Sequence, residues 1–168
     1  MKLLTPVALC CAAILAFASC NNKEDKNIVP KTKKQSLING KWYPEHVKTY
    51  SIYDGDTSLT EDNISDFDSC DQDDFGVYNA DGTMRGDEGP TKCDPSDPQT
   101  IDGGYWQLLE NDTKLRLFNP NSAWFPEDTV TADVLTLTDD LLQYHYTYEQ
   151  VAFGVYFYLE VTESYRNK

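Results

Sequence analysis

The sequence is short of histidine, of positive charge over most of its length, and of any long apolar run. Its two histidines, His46 and His145, are distant from every cysteine in sequence, so a zinc site of the His/Cys type lacks ligands. There is no phosphate-binding glycine loop and no Gly-x-Ser-x-Gly nucleophile turn. Acid pairs are too plentiful for any two carboxylates to mark a glycosidase couple. No segment reaches the roughly 20 apolar residues that carry a helix across a bilayer. The nearest, residues 4–20, is interrupted by Thr5, Pro6 and Ser19.

Positive charge is scarce in a way that divides the chain. Residues 20–48 hold seven lysines against three acids, whereas residues 49–168 hold six basic residues against 25 acids. Neutralising phosphates takes clustered Lys and Arg, so nucleic acid is excluded as a partner of the acidic part. The basic segment reads as a solvated linker, with contact to anionic head groups as the other reading.

What is present begins at the N-terminus. A short apolar run behind Lys2 ends in Leu15-Ala16-Phe17-Ala18-Ser19-Cys20, the layout of a secretory signal with small residues at its cleavage point. The cysteine in the first mature position resembles a bacterial lipobox. That resemblance implies removal of residues 1–19, acylation of Cys20 by palmitate-type chains, and anchoring to a membrane, which several acyl chains make stable. Lys23-Glu24-Asp25 close behind it resembles the export signal of surface lipoproteins in some Gram-negative bacteria. The expectation is an outer-membrane lipoprotein, exposed on the surface.

With Cys10 and Cys11 lost in the signal peptide and Cys20 carrying lipid, Cys70 and Cys93 remain. In an oxidising compartment they read as one disulfide; the alternatives are a metal site or two free thiols. Residues 20–35, rich in Lys and Asn with Pro30, form a tether. Short helical turns suit residues 36–38 and 59–64.

From Ser36 the pattern is β. Strands are expected at residues 40–53, 75–79, 83–86, 104–109, 114–118, 129–137, 141–148 and 151–163, with turns at 80–82, 110–113, 138–140 and Glu149-Gln150. In 141–148 the side chains of Leu142, Tyr144, Tyr146 and Tyr148 share one face, opposite His145. His145 therefore reads as an exposed histidine rather than a base. The apolar face of 129–137 shifts between Val134 and Leu135, the mark of a bulge, and Pro44 argues for another in the first strand. Eight sequential antiparallel strands close most simply as an all-β, up-and-down barrel without free edges. Connections one, three, five and seven then share one end. Three of them (54–74, 87–102, 119–128) are long, so that end is open, and Cys70 and Cys93 both fall there.

The chain here resembles a lipocalin, and more closely the lipocalin-like (calycin) domain of bacterial surface lipoproteins, over residues 36–168. Gly40-Lys41-Trp42 matches the Gly-x-Trp that opens the lipocalin barrel after a helical turn plugging its closed end. Thr138-Asp139 falls where lipocalins place Thr-Asp-Tyr, with Asp140 in place of the tyrosine. Arg166 is the candidate for the arginine that packs over the tryptophan. The order Cys70-Asp71-Gln72-Asp73-Asp74-Phe75, Asp81-Gly82-Thr83, Cys93, Gly104-Tyr105-Trp106 and Leu115-Arg116-Leu117 resembles the bacterial pattern. The resemblance implies binding rather than catalysis, with a small apolar ligand held in a calyx and no cofactor.

Candidate ligand-lining residues are Trp106, Tyr144, Tyr146, Tyr148 and Phe157, for which ordinary barrel packing is the plainer reading. Sixteen acids in loops one, three and five face Lys92 alone at the expected mouth, with Arg85 and Arg116 assigned to the outer face. They read as a solubilising surface, as a field repelling anions, or as a calcium site at Asp71, Asp73 and Asp74. A filled barrel acting on a protein partner through its acidic loop end is the alternative function.

Overall fold

The structure, a computed structural model, describes residues 31–120 and 128–168. The signal segment, Cys20 and most of the tether lie outside the described residues, as does Glu127. Among the described residues no helix is long and apolar enough to cross a membrane.

The described chain opens with a six-residue helix, α1 (Lys33–Ile38). Thr32 caps it: the Thr32 hydroxyl accepts from the Gln35 amide, and the Gln35 side chain accepts from the Thr32 amide. This helix thus begins inside the segment 20–35 expected as tether. Nine strands follow: β1 (Trp42–Tyr53), β2 (Asp56–Asn63), β3 (Phe75–Tyr78), β4 (Thr83–Asp87), β5 (Thr100–Leu109), β6 (Lys114–Phe118), β7 (Thr129–Leu137), β8 (Leu141–Ala152) and β9 (Val155–Asn167). Eight of them, all but β2, close a barrel in the order β1-β3-β4-β5-β6-β7-β8-β9, with β9 returning to β1. Every pairing is antiparallel and every β-connection joins barrel neighbours. The fold is an up-and-down barrel of calycin architecture.

Both expected bulges are present. The β7–β8 register shifts between Val134 and Thr136, which turns Leu135 outward and keeps Val134 and Leu137 inside. The β1–β9 register shifts between Pro44 and His46, because proline brings no amide to the ladder. Gly104 bends β5 where it changes partner from β4 to β6; its φ is +84°, and a Cβ there would sit 2.2 Å from the Phe118 carbonyl oxygen.

Two expectations are corrected. Residues 56–63 are the strand β2, not loop with a helical turn; a single 3₁₀ turn follows at Ile64–Asp66. All eight β2 residues are exposed, so they carry no alternation to read. The last hairpin turns at Phe153-Gly154 (φ +53° and +84°), not at Glu149-Gln150, so β8 is longer than expected and β9 keeps its expected length but lies four residues further along the chain. Beyond His145, the last β8 residue paired with β7, β8 pairs with β9 alone. Four strands, β2-β1-β9-β8, therefore continue past the barrel rim as a wall roughly 20 Å tall.

The closed end is filled. Leu37, Trp42, Leu115, Leu117 and Leu142 are the largest fully buried side chains. The Trp42 indole donates to the Leu37 carbonyl at 2.8 Å, fastening α1 beneath the barrel. Trp106 donates to the Asn79 carbonyl at 3.0 Å and meets the edge of Tyr78. Arg166 does not pack over Trp42. It lies opposite Tyr43 on the outer face and holds Glu45, the extra residue of the β1 bulge.

Candidate functional site: a cavity opening between loop end and wall

The long connections share one end, as strand parity requires, and Cys70 and Cys93 meet there in a disulfide with a Cα–Cα distance of 5.1 Å. Bonded to each other, their sulfurs offer no thiolate to a metal. The bridge ties the segment before β3 to the β4–β5 connection. Further links fix the same junction. The Thr91 amide donates to Asp73 Oδ2 at 3.0 Å, and Gln99 donates to both Asp87 and the Gly89 carbonyl. Gly89 has φ +64°, and a Cβ there would lie 2.4 Å from the Asp73 carbonyl oxygen, so only glycine fits that crossing.

Beneath this junction a cavity of about 540 Å³ enters the barrel. That volume lies in the range of ordinary small-molecule sites. Its apolar lining comes from Trp42, Phe75, Tyr78, Met84, Ile101 and Leu117. Two polar groups interrupt it, one deep and one at the mouth.

The deep group centres on Glu163, which β9 aims inward with Val161 and Tyr165 because the three alternate along one strand face. Tyr144 donates to Glu163 Oε2 at 2.7 Å, Tyr165 donates to the same oxygen, and Tyr146 reaches Oε1 at 3.4 Å. Tyr144 and Tyr165 stack at 5.7 Å between ring centres. Burial first, and the Glu163 charge second, hold the hydroxyls of Tyr78, Tyr144, Tyr146 and Tyr165 above the usual tyrosine value, so they are donors. Among the described residues no Lys, Arg or His forms an ion pair with Glu163.

At the mouth stand Asp71, Asp74, Asp87, Glu88 and Asp102, with Arg85 among them. Arg85 is exposed, as expected, yet stands at the cavity rim, 3.7 Å from Asp87, beside a register shift in which Gly103 is the extra residue of β5. Lys92, the expected counter-charge, turns away and donates to the Asp97 carbonyl. Of the sixteen loop acids, Asp54, Asp56, Glu61 and Asp62 belong instead to β2 and its turn, so the mouth is less crowded than the sequence implied. Asp74 is pushed up to about 6, by burial first and then by repulsion from Glu88, Asp71, Asp73 and Asp87.

The calcium candidates do not converge. Asp73 faces the Thr91 amide and Asp74 the cavity. Among the described residues the only cluster of metal-type ligands is Cys70, Asp71 and Cys93, whose sulfurs form the disulfide.

Of the five expected ligand-lining residues, Tyr144 and Tyr146 line the cavity. Trp106 is buried beside Tyr78, under Lys34, outside the cavity. Tyr148 and Phe157 pack together on the inner face of the wall, where Phe157 helps form a shallow second hollow with Tyr53 and Val155. His145 lies on the outer face beside Thr162. Sequence reasoning missed Glu163 and Tyr165, although an acid in an otherwise apolar alternating stripe was the available signal. No protein-family model matches the chain, and no curated protein matches it significantly.

Proposed function

We propose that this chain is a lipoprotein, anchored through an acylated Cys20 to the outer membrane of a Gram-negative bacterium, whose barrel binds a small apolar ligand. Its role is binding rather than catalysis, and the barrel is a lipocalin-like calyx. The observation that carries the reading is the cavity: about 540 Å³, apolar in most of its lining, open at the loop end and closed below by Trp42 and α1. A barrel of eight strands either fills with side chains or holds one small ligand, and here space remains. The disulfide and the Gly89 crossing support the reading by holding the mouth open without a ligand.

Native mass spectrometry of protein taken from membranes tests it: a non-covalent small molecule should co-purify and be released by organic solvent. Protein that is ligand-free from every source, and that binds no apolar probe, would overturn it.

A second reading has one observation in its favour. Tyr53, Leu59, Val151, Phe153 and Tyr156 are exposed apolar side chains on the projecting wall and its two turns. A protein partner docking there would make the barrel a support for the wall. Loss of a pulled-down partner on Phe153→Ser, with cavity binding intact, would favour it.

A further inference from the structure

Most of the cavity is apolar, yet its depth holds the carboxyl group of Glu163, which forms no ion pair among the described residues. An ionised carboxylate has about four acceptor positions. Tyr144 and Tyr165 take two of them on Oε2, while among the described residues Oε1 has only the long contact from Tyr146. No cationic side chain among the described residues pairs with it. Leaving a charge in an apolar pocket is unfavourable unless something pairs with it.

We propose that Glu163 is the recognition point for a primary ammonium group carried on an apolar ligand body. An ammonium has three donors. One meets Glu163 Oε1, and a neighbouring tyrosine hydroxyl oxygen can accept another. The Tyr144 and Tyr146 rings add cation–π attraction. The apolar body then lies against Phe75, Met84 and Ile101 toward the mouth. The acidic mouth favours entry of the same charge and opposes carboxylates. This inference rests on the calyx reading and names the ligand class for that site.

The test uses four amphiphiles of one chain length: n-decylamine, decyltrimethylammonium, decanol and decanoate. Each is titrated against the intact mature protein by calorimetry. The amine should bind tightest, ahead of decanol by about tenfold or more, as expected for a charge-assisted hydrogen bond in place of a neutral one. The quaternary ammonium, with no N–H to donate, should lose most of that advantage, and decanoate should bind weakest. Glu163→Gln should remove the amine advantage while decanol affinity stays within about twofold, and Glu163→Asp should restore part of it. Asp62→Asn, on the exposed strand β2 outside the cavity, should leave the ranking unchanged.

Amine binding that ignores Glu163→Gln while decanol still binds would overturn the assignment and leave the calyx standing. So would an equal loss of the amine preference in Asp62→Asn, which would mark a general effect of charge rather than recognition at Glu163. Failure of all four to bind the folded wild type would overturn the calyx reading as well. Retained binding of decanol by Glu163→Gln separates loss of recognition from loss of fold.

Discussion

Arg166 grips Glu45 with Nε and Nη2, at 2.9 to 3.1 Å, across the bulge that Pro44 forces in β1. The pair is half-exposed on the outer face, one residue along β9 from the Asn167 that lies opposite Trp42. The arginine therefore steadies the irregular strand rather than sealing the tryptophan. Exposed ion pairs contribute little, so Arg166→Ala should cost less than about 1 kcal/mol. Trp42→Ala, at a residue only 1% exposed, should cost about 3–5 kcal/mol. Urea unfolding measures both; comparable losses would return Arg166 to the role its sequence position suggested.

The Cys70–Cys93 bridge spans 23 positions. In the chain-entropy model such a loop contributes about 3 kcal/mol, so reduction should lower the urea midpoint accordingly. Its two ends join at the mouth and not in the barrel wall, so far-ultraviolet circular dichroism should stay native in the reduced protein. Collapse of the β signal on reduction alone would contradict that placement.

Asp74 gives stability a particular dependence on pH. Its folded value is raised to about 6, whereas an unfolded aspartate titrates near ~3.9. Between those values the folded chain holds the extra proton, so stability rises as the pH falls from 7 through 6 toward ~4. Asp81 and Asp94 behave oppositely: hydrogen bonds from Thr83 and Ser96 hold them below the usual value, so their contribution is lost as the pH falls below ~4. A stability maximum on the acid side of neutrality is expected. Asp74→Asn should flatten the rise between pH 7 and 5, and an unchanged slope would contradict the burial of this carboxyl.

Membrane attachment through Cys20 has an equally direct check. Cys20→Ala should move the protein from the membrane fraction to the soluble fraction, and unchanged partition would contradict acylation at that residue.

Much of the barrel was legible because its inner faces alternate. Leu115 and Leu117, Val130 and Ala132, and Leu142, Tyr144 and Tyr146 are buried as a two-residue period demands. Loop parity placed Cys70 beside Cys93 for the same reason. The strand β2 was hidden because it has no buried face; its only signal was Asp54-Gly55, which turns with φ +49° and +89°. Phe153 misled because an aromatic in register with Val155 reads as strand, while it occupies a positive-φ turn position. Arg85 is exposed as alternation predicts, but its place at the cavity rim depends on how the loop end closes over β4, which the strand period does not encode. Glu163 was visible in the sequence as an acid among inward apolar residues, but its meaning needed the three tyrosines of two strands around it.

The central claim is that the cavity binds an apolar ligand, and filling it is the most direct test. Gly86 lines the cavity, and a Cβ there would meet Ile101 at an ordinary 3.8 Å, so Gly86→Phe adds bulk to the space without breaking the backbone. Titration with the neutral fluorophore N-phenyl-1-naphthylamine should give saturable one-to-one binding in the wild type. The affinity should fall by about tenfold or more in Gly86→Phe, at unchanged circular dichroism. Equal binding by both proteins, or none by the wild type, would contradict a ligand-holding barrel.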